Sequence, residues 1–155
     1  MAARHVTPAD IETRDRWTAQ HLLGGAEPPF SFHYGGRPAR TVLGQWRLTR
    51  ETYQAAGGRT RHTATYVDPA SGLEARCEVV TYADFPTVEW TLFLRNGGDA
   101  DTSILEDIQA LDLLLAPPGN APVAPRGAVL HHAVGSPARA DDYQPLETVL
   151  EERLA

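Results

Sequence analysis

Residues 87–95, TVEWTLFLR, decide the fold class of this chain. The apolar residues at even positions, from Val88 to Leu94, alternate with the remaining residues, which is the period of two that a half-buried β-strand requires. Asn96-Gly97-Gly98-Asp99 follows directly and indicates a turn. The segment therefore predicts a strand with one face toward a core.

Segments of the same kind lie on both sides of it. Phe30, Phe32 and Tyr34 alternate with polar residues, and turn-forming stretches such as Asp68-Pro69-Ala70-Ser71-Gly72 separate one segment from the next. No helix of crossover length lies between them, which favours an antiparallel β-sandwich over a parallel α/β sheet. We expect strands at residues 30–34, 41–50, 61–67, 74–82, 103–115 and 127–133.

The best helix candidate spans residues 7–23. Thr7 suits the N-cap, Pro8 the first helical position, and Asp10 the acidic position of a capping box. Gly24-Gly25 would end this helix, and a second short helix is expected from Glu147 to the end of the chain. The predicted organisation is an N-terminal extension or helix over residues 1–28 and a mainly β domain over residues 29–155.

Length and charge exclude several function classes. The chain has 155 residues, a formal net charge of -6 and no Lys, and its Arg residues form no cluster, so we expect no nucleic-acid partner. No apolar run reaches the roughly 18 residues that a membrane span needs. Cys77 is the single cysteine and no signal peptide is recognisable, so we expect a cytoplasmic location.

Common catalytic and cofactor motifs are missing from the sequence. The glycine pairs lie at turns without the spacing of a phosphate-binding loop, and no serine lies in a G-x-S-x-G elbow. Cys77 lies in mid-strand on an apolar face, so a buried structural thiol is the favoured interpretation. We therefore expect no cofactor.

The most metal-like group of residues is His131-His132 with Asp141-Asp142. Adjacent residues on a strand point to opposite faces, so one strand cannot present both histidines to a single ion. These residues are interpreted as polar loop or surface residues, and no metal site is predicted.

Carboxylates are plentiful, and glycoside hydrolysis needs two of them across a sugar. Glu106 and Asp112 would share a face but lie about 20 Å apart by strand rise, too far for such a pair. Glu89 opposite Glu106 would be closer, although carboxylates on a sheet face are usually solvated. We therefore predict no catalytic residues.

Aromatic residues with polar neighbours give the ligand-binding hypothesis. An exposed aromatic ring can stack on a sugar, and flanking polar groups can bond its hydroxyls. Trp46 lies between Gln45 and Arg47, and Tyr143 lies next to Asp142. The predicted ligand-contacting residues are Trp46, Asp142 and Tyr143, while Trp90 is expected in the core.

The order of several sequence blocks resembles a known family. The blocks are PFSFHYGG at 29–36, YADFPTVEWTL at 82–92, ILEDIQALD at 104–112, LHH at 130–132 and ADDYQPL at 140–146. Together they resemble the N-terminal β-sandwich region of bacterial α-galactosidase-like proteins of the glycoside hydrolase family 36 type. The resemblance extends over most of the chain, from about Trp17 to Leu150.

This resemblance implies a supersandwich-like fold that is only partly present in this chain. In that family the catalytic carboxylates lie on a (β/α)8 barrel, which this chain lacks, so no catalytic residue is carried over. It implies a non-catalytic module with a galactoside-type carbohydrate as partner, at the mouth of an active site or at subunit contacts. A partial sandwich would leave an apolar face or strand edge unpaired, so we expect a homo-oligomer.

Two other functions stay open. The chain could be a small carbohydrate-active enzyme that uses sheet carboxylates, or a purely structural oligomerisation module. The residues considered for such an enzyme are Glu89, Glu106, Asp107, His131 and Asp141.

Overall fold

A computed structural model describes residues 5–23, 28–113, 128–133, 135–136, 138–139 and 142–150. The chain divides into two compact units, Met1–Leu113 and Leu114–Ala155. The expected β domain over residues 29–155 spans both units, and its boundaries stay a prediction. Within the described part of the chain, no helix is long and apolar enough to cross a membrane.

The first unit opens with helix α1 (Pro8–His21), which begins as its sequence predicts. The Thr7 hydroxyl accepts a hydrogen bond from the backbone N–H of Asp10 at 3.3 Å, and the Asp10 carboxylate accepts from the Thr7 N–H at 2.9 Å. This capping box pairs donors that a helix start otherwise leaves free. The residues that the helix buries are Arg14 and Thr18.

A four-stranded antiparallel sheet follows in the same unit, with each strand paired to its neighbour in sequence. Its strands are β3 (Arg47–Ala55), β4 (Arg59–Val67), β5 (Leu73–Tyr82) and β6 (Val88–Asn96). Along β5 the odd-numbered side chains are buried and the even-numbered ones half-buried. The sheet therefore has an inner face toward the core and an outer face toward solvent.

The second sheet of this unit has three antiparallel strands in the order β2-β1-β7. They are β1 (Ser31–Tyr34), β2 (Arg37–Pro38) and β7 (Leu105–Gln109). Phe32 of β1 is fully buried, and the ring of Phe30, just before β1, meets that of Tyr66 of β4 edge-on with centroids 6.4 Å apart. The core thus lies between the two sheets, and the predicted mainly β, sandwich-like antiparallel fold is confirmed.

Two predicted strands are wrong in their extent. Residues 41–50 begin as helix α2 (Ala39–Val42) and a 3-10 turn (Leu43–Gln45), and β3 starts only at Arg47. The buried residues there, Ala39, Val42, Leu43 and Trp46, follow helical spacing. The strand predicted over 103–115 is confined to Leu105–Gln109, where Asp107 takes a φ of 49° at a break in the pairing register with β1.

The second unit contains an antiparallel hairpin of β8 (Ala128–Ala133) and β9 (Pro145–Leu150). The strand predicted near 127–133 is confirmed. The helix predicted from Glu147 onward is wrong up to Leu150, because β9 occupies these residues; the rest of that segment lies outside the described residues.

Candidate ligand-binding face

Trp46 lies in the core of the first unit and not on a surface. It is 8 % exposed, and its ring meets those of Phe32 and Tyr34 at centroid distances of 6.2 and 5.7 Å. The edge-on contact with Tyr34 occupies the ring that was expected to stack on a ligand. The structure therefore assigns Trp46 to packing.

Asp142 and Tyr143 lie in the second unit, at a turn before β9. The Asp142 carboxylate accepts hydrogen bonds from the Arg139 N–H at 3.0 Å and from the Ser136 hydroxyl. It therefore serves to hold this turn. Tyr143, with a φ of 60°, is 66 % exposed and remains open to a ligand.

The residues considered for a small active site are not brought together. Glu89 belongs to β6 of the four-stranded sheet, whereas Glu106 pairs with His33 in the three-stranded sheet and Asp107 Oδ2 lies 3.4 Å from His33 Nδ1. His131 pairs with Glu147 in the hairpin at 3.3 Å. Asp141 lies outside the described residues.

The histidine pair on β8 splits as expected of adjacent strand residues. His131 contacts Glu147, while His132 Nε2 lies 3.0 Å from the Thr148 hydroxyl. Among the described residues, no group of three or more metal-ligating side chains is present.

The outer face of the four-stranded sheet carries the best candidate site. Strand pairing aligns Tyr53, Arg61, Val80 and Glu89 in one row across all four strands. The next row is Glu51, Thr63, Glu78 and Thr91. Because aligned residues on one face are neighbours, these two rows place an aromatic ring, a guanidinium, hydroxyls and carboxylates side by side.

A hollow of about 230 Å³ lies over these two rows. Tyr53 is 52 % exposed at its edge, so much of the ring is available for stacking. The side chains that surround it from the two rows are Tyr53, Arg61, Thr63, Val80, Glu78, Glu89 and Thr91.

Both carboxylates of the hollow already have a hydrogen-bonding partner. Arg76 Nη1 donates to Glu78 Oε1 at 2.6 Å. The Tyr82 hydroxyl donates to Glu89, and this bond raises the pKa of Tyr82. These contacts fix the two carboxylates as hydrogen-bond acceptors at the surface.

A second hollow of about 500 Å³ adjoins on the same face and offers less to a stacking ligand. Phe93 is its aromatic residue, but the Arg76 guanidinium lies over this ring at 4.7 Å from the centroid. Glu74 lies 3.8 Å from Arg76 Nε and 3.6 Å from Arg95. The aromatic and charged side chains of this hollow therefore already contact one another.

The sequence carries a partial signal for this site. The alternation in β5 and β6 already separates Glu78 and Glu89 from the core positions. Their alignment with Tyr53 and Arg61 depends on the register of four strands, which no local pattern fixes. Comparison with protein families, with curated proteins and with solved structures finds no match to the chain.

Proposed function

We propose that this chain is a non-catalytic, sugar-binding β-sandwich module that binds a carbohydrate on its outer sheet face. The observation that carries the proposal is the exposed Tyr53 ring beside Arg61, Glu78 and Glu89. Sugars present apolar C–H faces and a rim of hydroxyls. In such a site the aromatic ring can stack on the C–H face, and the charged side chains can donate hydrogen bonds to the hydroxyls or accept them.

The sequence resemblance to the N-terminal region of α-galactosidase-like proteins narrows the proposed ligand to a galactoside. In such proteins a sandwich of this kind accompanies a separate catalytic barrel. A sandwich that binds the sugar without catalysing its cleavage is consistent with that arrangement. Glu78 and Glu89 already accept hydrogen bonds from neighbouring side chains, which suits them to binding.

Calorimetric titration with galactose and raffinose tests the proposal. We expect millimolar binding that Tyr53→Ala weakens about tenfold or more, because a stacked ring contributes about 1 kcal/mol beyond its buried area. Tyr143→Ala is the matched control, since this second exposed tyrosine lies in the other unit. Loss of binding in Tyr143→Ala alone would instead assign the sugar to Asp142 and Tyr143, and silence of the wild type would refute sugar binding.

A stand-alone enzyme is the second candidate, because Glu78 and Glu89 line one hollow. Glycosidases need two carboxyl groups on either side of the scissile bond. The test is turnover of a nitrophenyl α-galactoside by the pure chain. Turnover that both Glu78→Gln and Glu89→Gln abolish would replace the binding proposal with this one.

The homo-oligomer and the cytoplasmic location stay predictions. Apolar side chains exposed on and beside β7, namely Ile104, Ile108 and Leu111, are consistent with self-association. A monomeric mass by light scattering at micromolar concentration would contradict the homo-oligomer.

A further inference from the structure

A second polar site lies on the opposite side of the same sheet, beneath helix α1. The inner face is apolar at the end that carries Tyr66 and Ala75. At its other end the inward positions are Thr60, His62 and Thr81. An inner sandwich face ordinarily carries apolar side chains, so this polar end calls for a partner other than the core.

Helix α1 covers the polar end with polar residues of its own. A cleft of about 270 Å³ separates the two elements and is lined by Arg14, Asp15, Thr18, Leu23, Thr60, His62 and Thr81. Thr18 is 2 % exposed, and within the described part of the chain its hydroxyl has no hydrogen-bonding partner. A buried hydroxyl without a partner is disfavoured, and a turn of the Thr18 side chain toward the cleft would let a ligand supply one.

The opposite charges of Arg14 and Asp15 in the cleft neutralise each other. Arg14 donates from Nε and Nη2 to Asp15 Oδ1 at 2.9 and 2.7 Å, and from Nη1 to the backbone carbonyls of Phe85, at 2.7 Å, and Tyr82. Burial lowers the pKa of His62; Asp15 opposes this effect and Arg14 adds to it, so the imidazole is neutral at neutral pH. A neutral ligand is therefore favoured over an anion or a cation.

The groups that remain available combine donors and acceptors. The Thr18 hydroxyl has no partner among the described residues, and Thr81 brings a second hydroxyl to the lining of the cleft. His62 uses Nδ1 with the Thr52 hydroxyl at 3.0 Å and keeps its second ring nitrogen, and Asp15 keeps Oδ2. A ligand with hydroxyl groups on adjacent carbons could pair with these side chains, because each hydroxyl is both a donor and an acceptor.

We propose that the cleft between α1 and the four-stranded sheet binds a small neutral polyol, in the size range from glycerol to a monosaccharide. The volume, at the lower end for ligand pockets, sets the upper size. The proposal is independent of the sugar-binding function, since the cleft and the outer face lie on opposite sides of the sheet.

Methyl and imidazole NMR on the full chain tests the proposal with glycerol and galactose as probes. We expect the methyl signals of Thr18 and Thr81 and the ring signals of His62 to shift together along one millimolar titration curve. Tyr53→Ala leaves this curve unchanged, which separates the cleft from the outer face.

Two threonine variants on α1 give the matched comparison. Thr18→Val keeps the shape of the side chain and removes the hydroxyl, so binding weakens about tenfold for one lost hydrogen bond. Thr13→Val, at an exposed position whose hydroxyl donates to the Ala9 carbonyl at 2.8 Å, leaves it unchanged. Thr81→Val repeats the test from the sheet side, and amide spectra verify the fold of each variant.

The proposal is overturned if the signals of Thr18, Thr81 and His62 do not shift with either probe, since the cleft would then hold only ordered water. Equal affinity in the wild type and in a folded Thr18→Val or Thr81→Val variant would overturn it as well. Shifts confined to residues of the outer face would have the same consequence.

Discussion

Tyr34 donates its phenolic hydrogen to the Ser71 hydroxyl at 2.9 Å, which joins β1 of the three-stranded sheet to the turn between β4 and β5. Ser71 in turn donates to Asp68 Oδ2 at 2.6 Å. The chain of bonds ties the two sheets together at one end of the sandwich.

Removal of the Tyr34 hydroxyl is expected to lower the free energy of unfolding. Tyr34→Phe deletes one partly buried hydrogen bond and should cost about 1 kcal/mol by urea denaturation. Tyr53→Phe, which changes an exposed hydroxyl on the outer face, is the control and should stay within a few tenths of a kcal/mol. Equal effects of the two variants would contradict a link between the sheets through Tyr34.

Asp68 makes stability depend on pH in the acid range. Burial acts to raise the pKa of Asp68, but hydrogen bonds from the Ser71 hydroxyl and from the backbone N–H groups of Ala70 and Ser71 outweigh it and lower the pKa below 3.8. The unfolded chain therefore binds a proton first, so this stabilisation is present above pH 3.8 and is lost as pH falls through the folded-state pKa.

Denaturant unfolding across this acid range measures the contribution of Asp68. Asp68→Asn should be less stable at neutral pH and should lose less stability on acidification than the wild type. Asp99→Asn, in the exposed turn after β6, should keep the wild-type slope. An identical slope in Asp68→Asn would show that these hydrogen bonds have no such role.

Arg14 is a buried charge that holds α1 to the turn between β5 and β6. Its guanidinium donates to the carbonyls of Tyr82 and Phe85. Arg14→Met keeps most of the side-chain volume but leaves these carbonyls without that donor, which should cost about 2–3 kcal/mol in thermal or urea unfolding. Arg16→Met, at an exposed position of the same helix, should change stability little.

Gly72 is required by both backbone conformation and space. Its φ is 75°, and a β-carbon there would lie 2.9 Å from the backbone nitrogen of Gly98. Gly72→Ala should therefore destabilise the first unit by at least about 1–2 kcal/mol. Gly44→Ala is the matched control, since a β-carbon at Gly44 meets nothing within 4 Å. Thermal melts of the two variants should differ clearly, and coincident melts would count against the close approach.

Cys77 should be unreactive in the folded protein. Burial, with a smaller effect of the Glu78 charge, raises the pKa of its thiol to about 12. At about pH 8 almost no thiolate forms, and the thiol is sheltered as well. Alkylation with iodoacetamide should therefore follow the unfolding rate, and denaturant should restore the rate of a free thiol. Rapid labelling without denaturant would contradict the burial of Cys77.

The sequence predicts the elements whose signals are local. The N-cap at Thr7 and the alternation in β5 and β6 depend on neighbouring residues, and both are present in the structure. The turn of helix before β3 is harder to predict, because Val42, Leu43 and Trp46 fit a short apolar strand as well as a helical face. Only contacts with the rest of the core decide between the two.

The candidate site depends on long-range information. Polar neighbours gave Trp46 the sequence context of a surface residue, whereas the ring packs between Phe32 and Tyr34. Conversely, Tyr53 gains its significance only when Arg61 and Glu89 are aligned with it across the sheet. Such alignment is a property of strand register, and a shift of one residue would place these side chains on the other face.

The pairing order of the strands has a consequence for how the first unit folds. Strands β3 to β6 pair only with sequence neighbours, so their hairpins can zip in succession at a low entropic cost of chain closure. The β1–β7 pair joins segments that lie far apart in the chain. During synthesis on the ribosome, we therefore expect the sheet of β3 to β6 to form first. Strand β1, with Phe32, should take its final position only after β7 has emerged.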